Sequence, residues 1–410
     1  MAACLLHRGT PMSLHHPSKR SDGRPDVVCL SHLRWNFVYQ RPNHLMSRYA
    51  REHRVFYVEE PIFDEAPESA GRLEFFETRE PWLEIVVPHL RPGMPLQEVD
   101  ASLRQLLDQL VEAARIRDPL LWLYTPMLFE PTKHLRRSGL VYDCMDELSL
   151  FRHAPPELVT RERDLISSAD VVFTGGHGLW EAKRHLHPRI HPFPSSVDVD
   201  HFGQARIAMN EPEDQRVIAR PRLGFFGVLD ERLDIELLQG AAERKPDWQF
   251  VMVGPVVKID PATLPRRPNI HYLGPRNYEQ LPSYLAGWDV TIMPFARNES
   301  TRFISPTKTL EYLAAGKPVV STSIRDVVRH FAAEQLVRIA DSAADFVSEV
   351  EGALSERDTP RGTKRRADAD AMLARTSWDR TWSRMRSLVQ SALSRRHADT
   401  TEEAAPCSTI

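Results

Sequence analysis

Short apolar segments alternate with amphipathic helical segments along almost the whole chain, and the alternation is broken once. The first series of predicted strands runs from 27–30 to 171–174, and the second runs from 222–227 to 319–321. Strands that are separated by helices are typical of parallel sheets with helices on both faces. The sequence therefore predicts an α/β protein with two doubly wound, Rossmann-like domains.

The predicted domain boundaries follow the places where this alternation begins, breaks and ends. The break is polar, lacks strand or helix periodicity and contains Glu211-Pro212-Glu213-Asp214, which is typical of an interdomain linker. The predicted divisions are a disordered leader at 1–24, an N-terminal domain at 25–202, a linker at 203–220, a C-terminal domain at 221–375, a helix at 376–396 that packs back across the domains, and a flexible tail at 397–410.

Composition excludes several classes of function. The 410 residues are 42% hydrophobic with a formal net charge of −3, which is typical of a globular protein and gives no indication of a nucleic-acid partner. The four cysteines form no CxxC pair, so neither a disulfide framework nor a zinc cluster is predicted. No apolar run approaches the roughly 20 residues that span a bilayer. The cytoplasm is the default compartment, and the oligomeric state is not indicated.

The segment 305–322 predicts a short helix followed by a buried strand. Ser305 is suited to the N-cap, Pro306 to the first helical position, and Gly316 to the end of the helix. The amides at such a helix start can bind a phosphate, with Glu311 placed further along to accept hydrogen bonds from sugar hydroxyls. An ordinary capped helix is the alternative.

Several segments, taken in their order along the chain, resemble the GT-B glycosyltransferases, specifically the large retaining nucleotide-sugar family (group 1, family-4-like). The match rests on Pro-Thr-Lys-x-x-Glu at 306–311, Gly-Lys-Pro-Val-Val at 316–320, Ser-Ala-Asp-Val-Val-Phe-Thr at 168–174, the hinge-like segment 192–202, Phe-Phe-Gly at 225–227, Val-Met-Val-Gly-Pro at 251–255 and Leu-Gly at 273–274. Any one of these segments is a weak signal, whereas their common order covers nearly the whole chain.

This resemblance implies that a sugar moves from a nucleotide diphosphate sugar to a hydroxyl acceptor, with retention, in polysaccharide or glycoconjugate biosynthesis. The enzyme would be a metal-independent, hexosyltransferase-type transferase whose donor is a substrate and which needs no cofactor. The C-terminal domain would bind the donor and the N-terminal domain the acceptor. The residues implied at the donor nucleotide and its phosphates are Gly227, Arg232, Ser305, Pro306, Thr307, Lys308, Thr309 and Glu311.

The chain departs from the family at the sugar end of the donor site. Phe303 stands where the family often has a second glutamate, so Glu299 and Arg302 are the candidates there for binding the sugar. The candidate catalytic residues are Asp143, Asp146 and Lys308. The two aspartates follow a predicted strand, and solvated carboxylates at a helix start are the alternative for them.

A polar and aromatic loop follows the first predicted strand, at the sheet edge where open α/β sheets bind ligands. Its Trp-x-Phe-x-x-Gln-Arg-Pro pattern resembles a bacterial subgroup linked to cell-surface polysaccharide. The candidate acceptor-binding residues are His32, Arg34, Trp35, Gln40 and Arg41, which suit a polar or anionic saccharide. Packing aromatics are the alternative for Trp35, Phe37 and Tyr39.

The next helix carries Arg41, His44, Arg48 and Arg51 at helical spacing. This basic face suits either plain solvation or peripheral contact with anionic lipid at the inner face of the membrane, which would fit a lipid-linked acceptor. Two further functions stay open. They are a GT-B-shaped sugar-nucleotide epimerase and a non-catalytic partner subunit, the latter because of Phe303.

Overall fold

The computed structural model describes residues 23–207 and 209–403, with side chains up to residue 396. The predicted leader therefore lies almost entirely outside the described residues. Within the described part of the chain, no helix is both long enough and apolar enough to cross a membrane.

The first half of the chain folds around one sheet of nine strands in the order β3-β5-β2-β1-β6-β7-β8-β9, with β4 antiparallel to β5 and the other pairs parallel. The strands are β1 (Val27–Ser31), β2 (Val55–Glu59), β3 (Ile62–Phe63), β4 (Arg72–Glu77), β5 (Leu83–Leu90), β6 (Leu120–Leu123), β7 (Gly139–Cys144), β8 (Val171–Thr174) and β9 (Ile190–Pro192), and the helices are α1 (Arg41–Tyr49), α2 (Leu96–Ala113), α3 (Leu158–Ser168) and α4 (His177–Lys183).

The second half folds around a parallel sheet of six strands in the order β12-β11-β10-β13-β14-β15. Its elements are α5 (Val199–Gly203), α6 (Glu213–Arg216), β10 (Arg222–Phe226), α7 (Ile235–Arg244), β11 (Gln249–Val253), β12 (Ile270–Gly274), α8 (Leu281–Ala286), β13 (Val290–Met293), α9 (Lys308–Ala314), β14 (Val319–Ser321), α10 (Arg325–Val327), β15 (Val337–Ile339), α11 (Ala343–Glu356), α12 (Pro360–Leu373) and α13 (Trp378–Glu403). Two parallel doubly wound sheets were predicted, and this prediction is confirmed.

Strand β1 shows why the apolar runs are continuous. Val28 and Leu30 belong to the core on one face of the first sheet, while Val27 and Cys29 belong to the core on the other face. Successive side chains of a strand point to opposite faces, so a sheet covered on both faces needs apolar residues at every position.

The last helix packs against the first domain. Trp378, Trp382, Met385 and Val389 of α13 are buried in the same core as Tyr49 of α1. The helix runs on to Glu403, into the segment that was predicted as a flexible tail.

The segment between the two sheets is ordered by contacts with the second domain. The Trp288 indole donates a hydrogen bond of 2.7 Å to Gln215, whose amide donates to the Tyr284 carbonyl at 3.0 Å. Arg206 donates to the carbonyls of Leu313 and Ala314 at the end of α9. The predicted linker therefore contains short helices and is held against the second domain.

Helix α9 begins two residues later than the sequence suggested. Its N-cap is Thr307, without a side-chain capping bond, so the predicted cap at Ser305 is wrong. Ser305 instead lies against Gly176 of the other domain. A Cβ added to Gly176 would come within 2.8 Å of the Ser305 Cβ. Gly316 ends the helix with a φ of +70°, as expected for a glycine stop.

Candidate active site in the cleft between the two domains

A cleft of about 1480 Å³ lies between the two domains and is lined by loops from both. Because parallel strands bring the loops after their carboxyl ends to one edge of a sheet, loops that are distant in sequence meet here. Pockets for one drug-sized ligand usually measure about 300 to 1,000 Å³, so this cleft has room for two reactants.

Two glycines at the ends of neighbouring strands shape the floor of the cleft. Gly227 and Gly254 have φ values of +137° and +145°, which only glycine adopts easily. A Cβ on Gly254 would lie 1.9 Å from the Gly227 carbonyl oxygen, and a Cβ on Gly227 would lie 2.3 Å from Cε of Lys308. The missing side chains therefore let the two loops pack together and let Lys308 cross Gly227 into the cleft.

Positive charge converges around Asp146, which comes from the N-terminal side of the cleft. Burial raises the pKa of Asp146, and the charges of Arg232, Lys258 and Lys308 act against that rise. Among the described residues neither lysine has an ion-pair partner, whereas Arg232 binds Asp230 with its Nη2 at 2.7 Å. The arrangement concentrates cations where an anionic ligand would enter.

The cationic group is anchored across the cleft by one aromatic ring. Arg232 lies 5.5 Å and Lys258 4.9 Å from the centre of the Phe151 ring, which belongs to the first domain. Such cation–π contacts hold both side chains near the ring face while their charges remain available.

Glu311 presents a carboxylate oxygen without a partner. Its Oε2 atom is buried and makes no hydrogen bond within the described part of the chain. Burial raises the pKa of Glu311 to about 7, against the lowering effects of Lys308 and of the Thr307 side chain. A buried acceptor of this kind is normally satisfied, which indicates that a ligand hydrogen bond belongs here.

The loop after β1 forms the opposite wall and is held by Glu59. This carboxylate accepts hydrogen bonds of 2.8 Å from the Arg34 guanidinium and from the Trp35 backbone amide. The Trp35 ring packs edgewise on Tyr57 with a centroid distance of 4.9 Å. Arg34, Trp35 and Gln40 all line the cleft, and so does Phe37, which is 50% exposed. Phe37 is therefore not a core residue.

His32 faces the cleft as a neutral imidazole. Burial and the nearby Lys258 charge lower the pKa of His32 to about 4, while a hydrogen bond at the Tyr124 backbone raises it. Its Nδ1 atom is buried and has no hydrogen-bond partner among the described residues. A neutral ring with an open nitrogen can accept a hydrogen bond from a ligand hydroxyl.

Two predicted site residues, Arg41 and Asp143, are buried away from the cleft. They form a bidentate ion pair in which Arg41 Nε and Nη2 donate to the carboxylate at 2.8–3.1 Å, and both side chains are 0% exposed. Arg41 also donates to the Phe193 carbonyl at 2.5 Å. The predictions of a catalytic Asp143 and an acceptor-binding Arg41 are wrong in this geometry, because each group is satisfied by the other.

Several predicted donor residues also fall outside the cleft lining. Ser305 and Pro306 do not line it, and Thr309 is fully buried with its hydroxyl 3.6 Å from the Met293 sulfur. Glu299 and Arg302, predicted for the sugar, pair with each other at 3.4 Å with side chains 71% and 60% exposed. Neither lines the cleft. The predicted residues that do line it are Gly227, Arg232, Thr307, Lys308, Glu311, Asp146, His32, Arg34, Trp35 and Gln40.

Phe303 has a structural role between the domains. Its ring packs against the core of the first domain, although it belongs to the second. Nearby, Asp326 accepts hydrogen bonds from the His177 and Gly178 amides at 2.9 and 3.0 Å, again across the domain boundary. The partly buried aromatic ring at 303 therefore contributes apolar contact between the domains.

The predicted basic face of α1 is partly covered. Arg41 is buried, His44 stacks on Trp378 at 4.4 Å, and Arg48 and Arg51 both bind Asp379 of α13. The Arg51 side chain stays 57% exposed, so α13 covers only part of this face and the rest is solvated.

One group of metal-ligand types lies outside the cleft. Oxygen or nitrogen atoms of Asp64, Glu65 and His89 lie within 4.8 Å of one another. His89 Nδ1 is already 2.7 Å from Asp64, and Glu65 binds Arg72 and Ser69. These atoms are therefore used in bonds between side chains at the edge of the sheet.

Sequence reasoning missed Lys258, Phe151 and Tyr278, which all line the cleft. Lys258 follows β11 and Tyr278 follows β12, so both lie beyond the carboxyl ends of strands of the second sheet. That position was the available signal, because ligands of open α/β sheets bind at this edge.

The chain is similar in sequence to known glycosyltransferases. Residues 220–356 match the family model of the group 1 glycosyl transferases. TuaH of Bacillus subtilis (strain 168), named as a glycosyltransferase of teichuronic acid biosynthesis, is 28% identical over 244 residues. That match covers 54% of this chain and 60% of TuaH, so the chain spans about three fifths of this curated relative.

Solved structures share the fold over nearly the whole chain. Sucrose-phosphate synthase from Thermosynechococcus elongatus matches with a TM-score of 0.66 at 14% identity, covering 91% of this chain and 100% of that one. HepE from Anabaena, solved with UDP and glucose, matches with a TM-score of 0.62 at 14% identity, covering 90% and 100%. At such identities the likeness concerns the fold, and it confirms the predicted GT-B architecture.

Proposed function

We propose that this chain, whose residues 220–356 match the family model of the group 1 glycosyl transferases, moves a sugar from a nucleotide diphosphate sugar to a hydroxyl acceptor in polysaccharide biosynthesis. The observation that carries the proposal is the meeting of Lys308, Lys258 and Arg232 in a cleft between two domains that Glu311 also lines, with an Oε2 atom that makes no hydrogen bond among the described residues. The name of TuaH, a glycosyltransferase of teichuronic acid biosynthesis, supports the same activity, and the UDP and glucose bound to HepE support a nucleotide and a saccharide as ligands.

On the donor side, the cations would hold the diphosphate and Glu311 would accept hydrogen bonds from the ribose. Lys308 and Lys258 offer charge without partners among the described residues, and Arg232 adds a guanidinium that is already oriented by Asp230. Preoriented positive charge stabilises the phosphate that departs as the sugar is transferred. This supports a reaction without a resident metal ion, in which the nucleotide sugar is a substrate and no cofactor takes part.

On the acceptor side, His32, Arg34, Trp35 and Gln40 would bind a saccharide. Trp35 offers an aromatic surface, Arg34 a guanidinium that Glu59 orients, and the Nδ1 atom of His32 an acceptor for a hydroxyl. Asp146 lies between the two halves of the site, where a carboxylate can stabilise a cationic sugar. In a retaining reaction the donor phosphate would take the proton of the acceptor hydroxyl.

We further propose that the saccharide is presented on a lipid carrier, with this end of the cleft near the inner face of the membrane. The exposed Phe37 ring, with Arg34 close to it in the same loop, supports this proposal. Apolar burial and attraction of basic side chains to anionic lipid both favour binding at a membrane surface.

The main test uses Lys308→Ala, with Lys364→Ala as a matched control because Lys364 is an exposed lysine of α12 that pairs only with Asp368 among described residues. A panel of nucleotide sugars is first screened by thermal shift, and the best donor is then incubated with and without saccharide acceptors. We expect Lys308→Ala to lose about 10²- to 10³-fold in transfer while it keeps its melting temperature, as for removal of one oriented charge donor.

Equal transfer by Lys308→Ala and the control would contradict the phosphate role of Lys308. Conversion of the donor to an isomeric nucleotide sugar without acceptor would instead favour the epimerase. A protein that binds no nucleotide sugar and transfers none would be the non-catalytic partner.

A further inference from the structure

Tyr278 is a cleft residue whose ring is fixed by four other rings. It stacks on His201 with a centroid distance of 4.0 Å and an interplanar angle of 7°, and it packs against Tyr39 at 4.6 Å. His44 and Phe202 contact it edgewise at 5.8 and 5.6 Å. These neighbours come from the first domain and from the segment that connects the domains, so both help to set the direction of the Tyr278 side chain.

The Tyr278 hydroxyl has no hydrogen-bond partner within the described part of the protein. Tyr278 Oη is buried and makes no hydrogen bond there, and the same is true of Glu311 Oε2. Burial and then the charge of Glu311 raise the pKa of Tyr278, so the two groups lie close enough to interact and the phenol keeps its proton. A buried donor and a buried acceptor therefore both belong to the lining of the cleft without binding each other.

A ribose hydroxyl can satisfy both atoms at once. It has one proton to donate and two lone pairs to accept with, whereas a carboxylate only accepts and a protonated phenol donates. A hydroxyl between the two groups would donate to Glu311 and accept from Tyr278. A phosphate oxygen would suit Tyr278 but would be repelled by the carboxylate.

We propose that Tyr278 is a specificity residue for the nucleotide, donating its phenolic proton to the ribose hydroxyl that Glu311 binds. This inference rests on the proposed function, because it requires that the cleft binds a ribonucleotide. It adds a residue outside the sequence motifs, and it makes ribose recognition depend on a ring that the first domain helps to hold.

The test is isothermal titration of wild type, Tyr278→Phe and Tyr272→Phe with UDP, GDP and ADP, followed by the 2′-deoxy and 3′-deoxy forms of the nucleotide that binds best. Tyr272→Phe is the control, because its hydroxyl binds the Pro265 carbonyl in the same domain and does not line the cleft. Tyr278→Phe removes the hydroxyl alone and keeps the ring stack. Melting curves show that each variant is folded.

We expect wild type and Tyr272→Phe to lose affinity for one deoxy form. Tyr278→Phe should bind the parent nucleotide about fivefold to tenfold more weakly, as for loss of one neutral hydrogen bond, and should discriminate less against that deoxy form. Unchanged affinity and unchanged discrimination in a folded Tyr278→Phe would overturn the inference and leave the proposed function standing. If wild type binds none of the three nucleotides, the proposed function fails first.

Discussion

Each domain brings a basic residue near an acidic one: Arg41 at the start of α1 pairs with Asp143 at the end of β7, and Lys308 interacts with Glu311 in the first turn of α9. Arg41 and Asp143 satisfy each other completely and are closed to solvent. Lys308 and Glu311 reach the cleft, where Glu311 Oε2 makes no hydrogen bond within the described residues. Charge and position at the end of an element therefore do not identify a ligand site, whereas an unsatisfied buried atom in the lining of a cleft points to one.

The largest effect is expected on the free energy of unfolding when the buried pair of Arg41 and Asp143 is broken. Asp143→Ala should lower the free energy of unfolding by about 3 to 5 kcal/mol, because it leaves the Arg41 charge buried without a partner. Urea denaturation of wild type and variant measures the change. The double change Arg41→Met with Asp143→Leu should lose less than Asp143→Ala alone, since no charge then remains buried.

A contrary outcome for this pair would be a folded, equally stable Asp143→Ala protein that binds donor and acceptor but transfers no sugar. Such a result would return Asp143 to the catalytic machinery from which its contacts remove it.

The next effect is a dependence of stability on pH that comes from Glu311. Because burial raises the pKa of Glu311 to about 7 from its ordinary value of 4.5, the folded protein binds a proton in this interval that the unfolded chain has released. Stability from this group is therefore present at low pH and falls as the pH rises from about 5 to 7, with a slope of at most about 1.4 kcal/mol per pH unit.

Glu311→Gln removes this titration and keeps the shape of the side chain. Urea denaturation of wild type and variant at pH 5, 6, 7 and 8 should therefore show the advantage of wild type shrinking, or reversing, as the pH rises. Parallel curves for the two proteins would show that Glu311 titrates in its ordinary range and is not desolvated.

The fold was largely predictable from the sequence, and the contacts of the site were not. Apolar runs such as 27–30 predict buried strands because local composition decides them. Asp143 and Asp146 are three residues apart and look alike in sequence, but Asp143 meets Arg41, a partner 102 residues away. Such a pairing is a property of the tertiary structure, and so is the contact of Ser305 with Gly176 that accompanies the later start of α9.

Site residues that belong to a sequence motif could be predicted, whereas isolated site residues could not. Lys308 and Glu311 could be identified because a whole segment resembles a known family. Lys258 and Tyr278 carry no local motif and are recognised only when the loops after β11 and β12 are seen to meet the same cleft. The strand order must therefore be known before the role of such residues can be inferred, because it decides which loops meet at the cleft.

The smallest expected effect concerns a third pair of opposite charges, Glu299 and Arg302, which neither stabilises a core nor lines the cleft. Both side chains are mostly exposed, and exposed ion pairs of this kind contribute little. Glu299→Ala and Arg302→Ala should each change donor affinity, measured by titration with the best nucleotide sugar, by less than about twofold. A much larger loss in either variant would mean that the loop carrying them moves onto the donor when it binds, and the rule that exposed, mutually paired charges lie outside the site would then fail here.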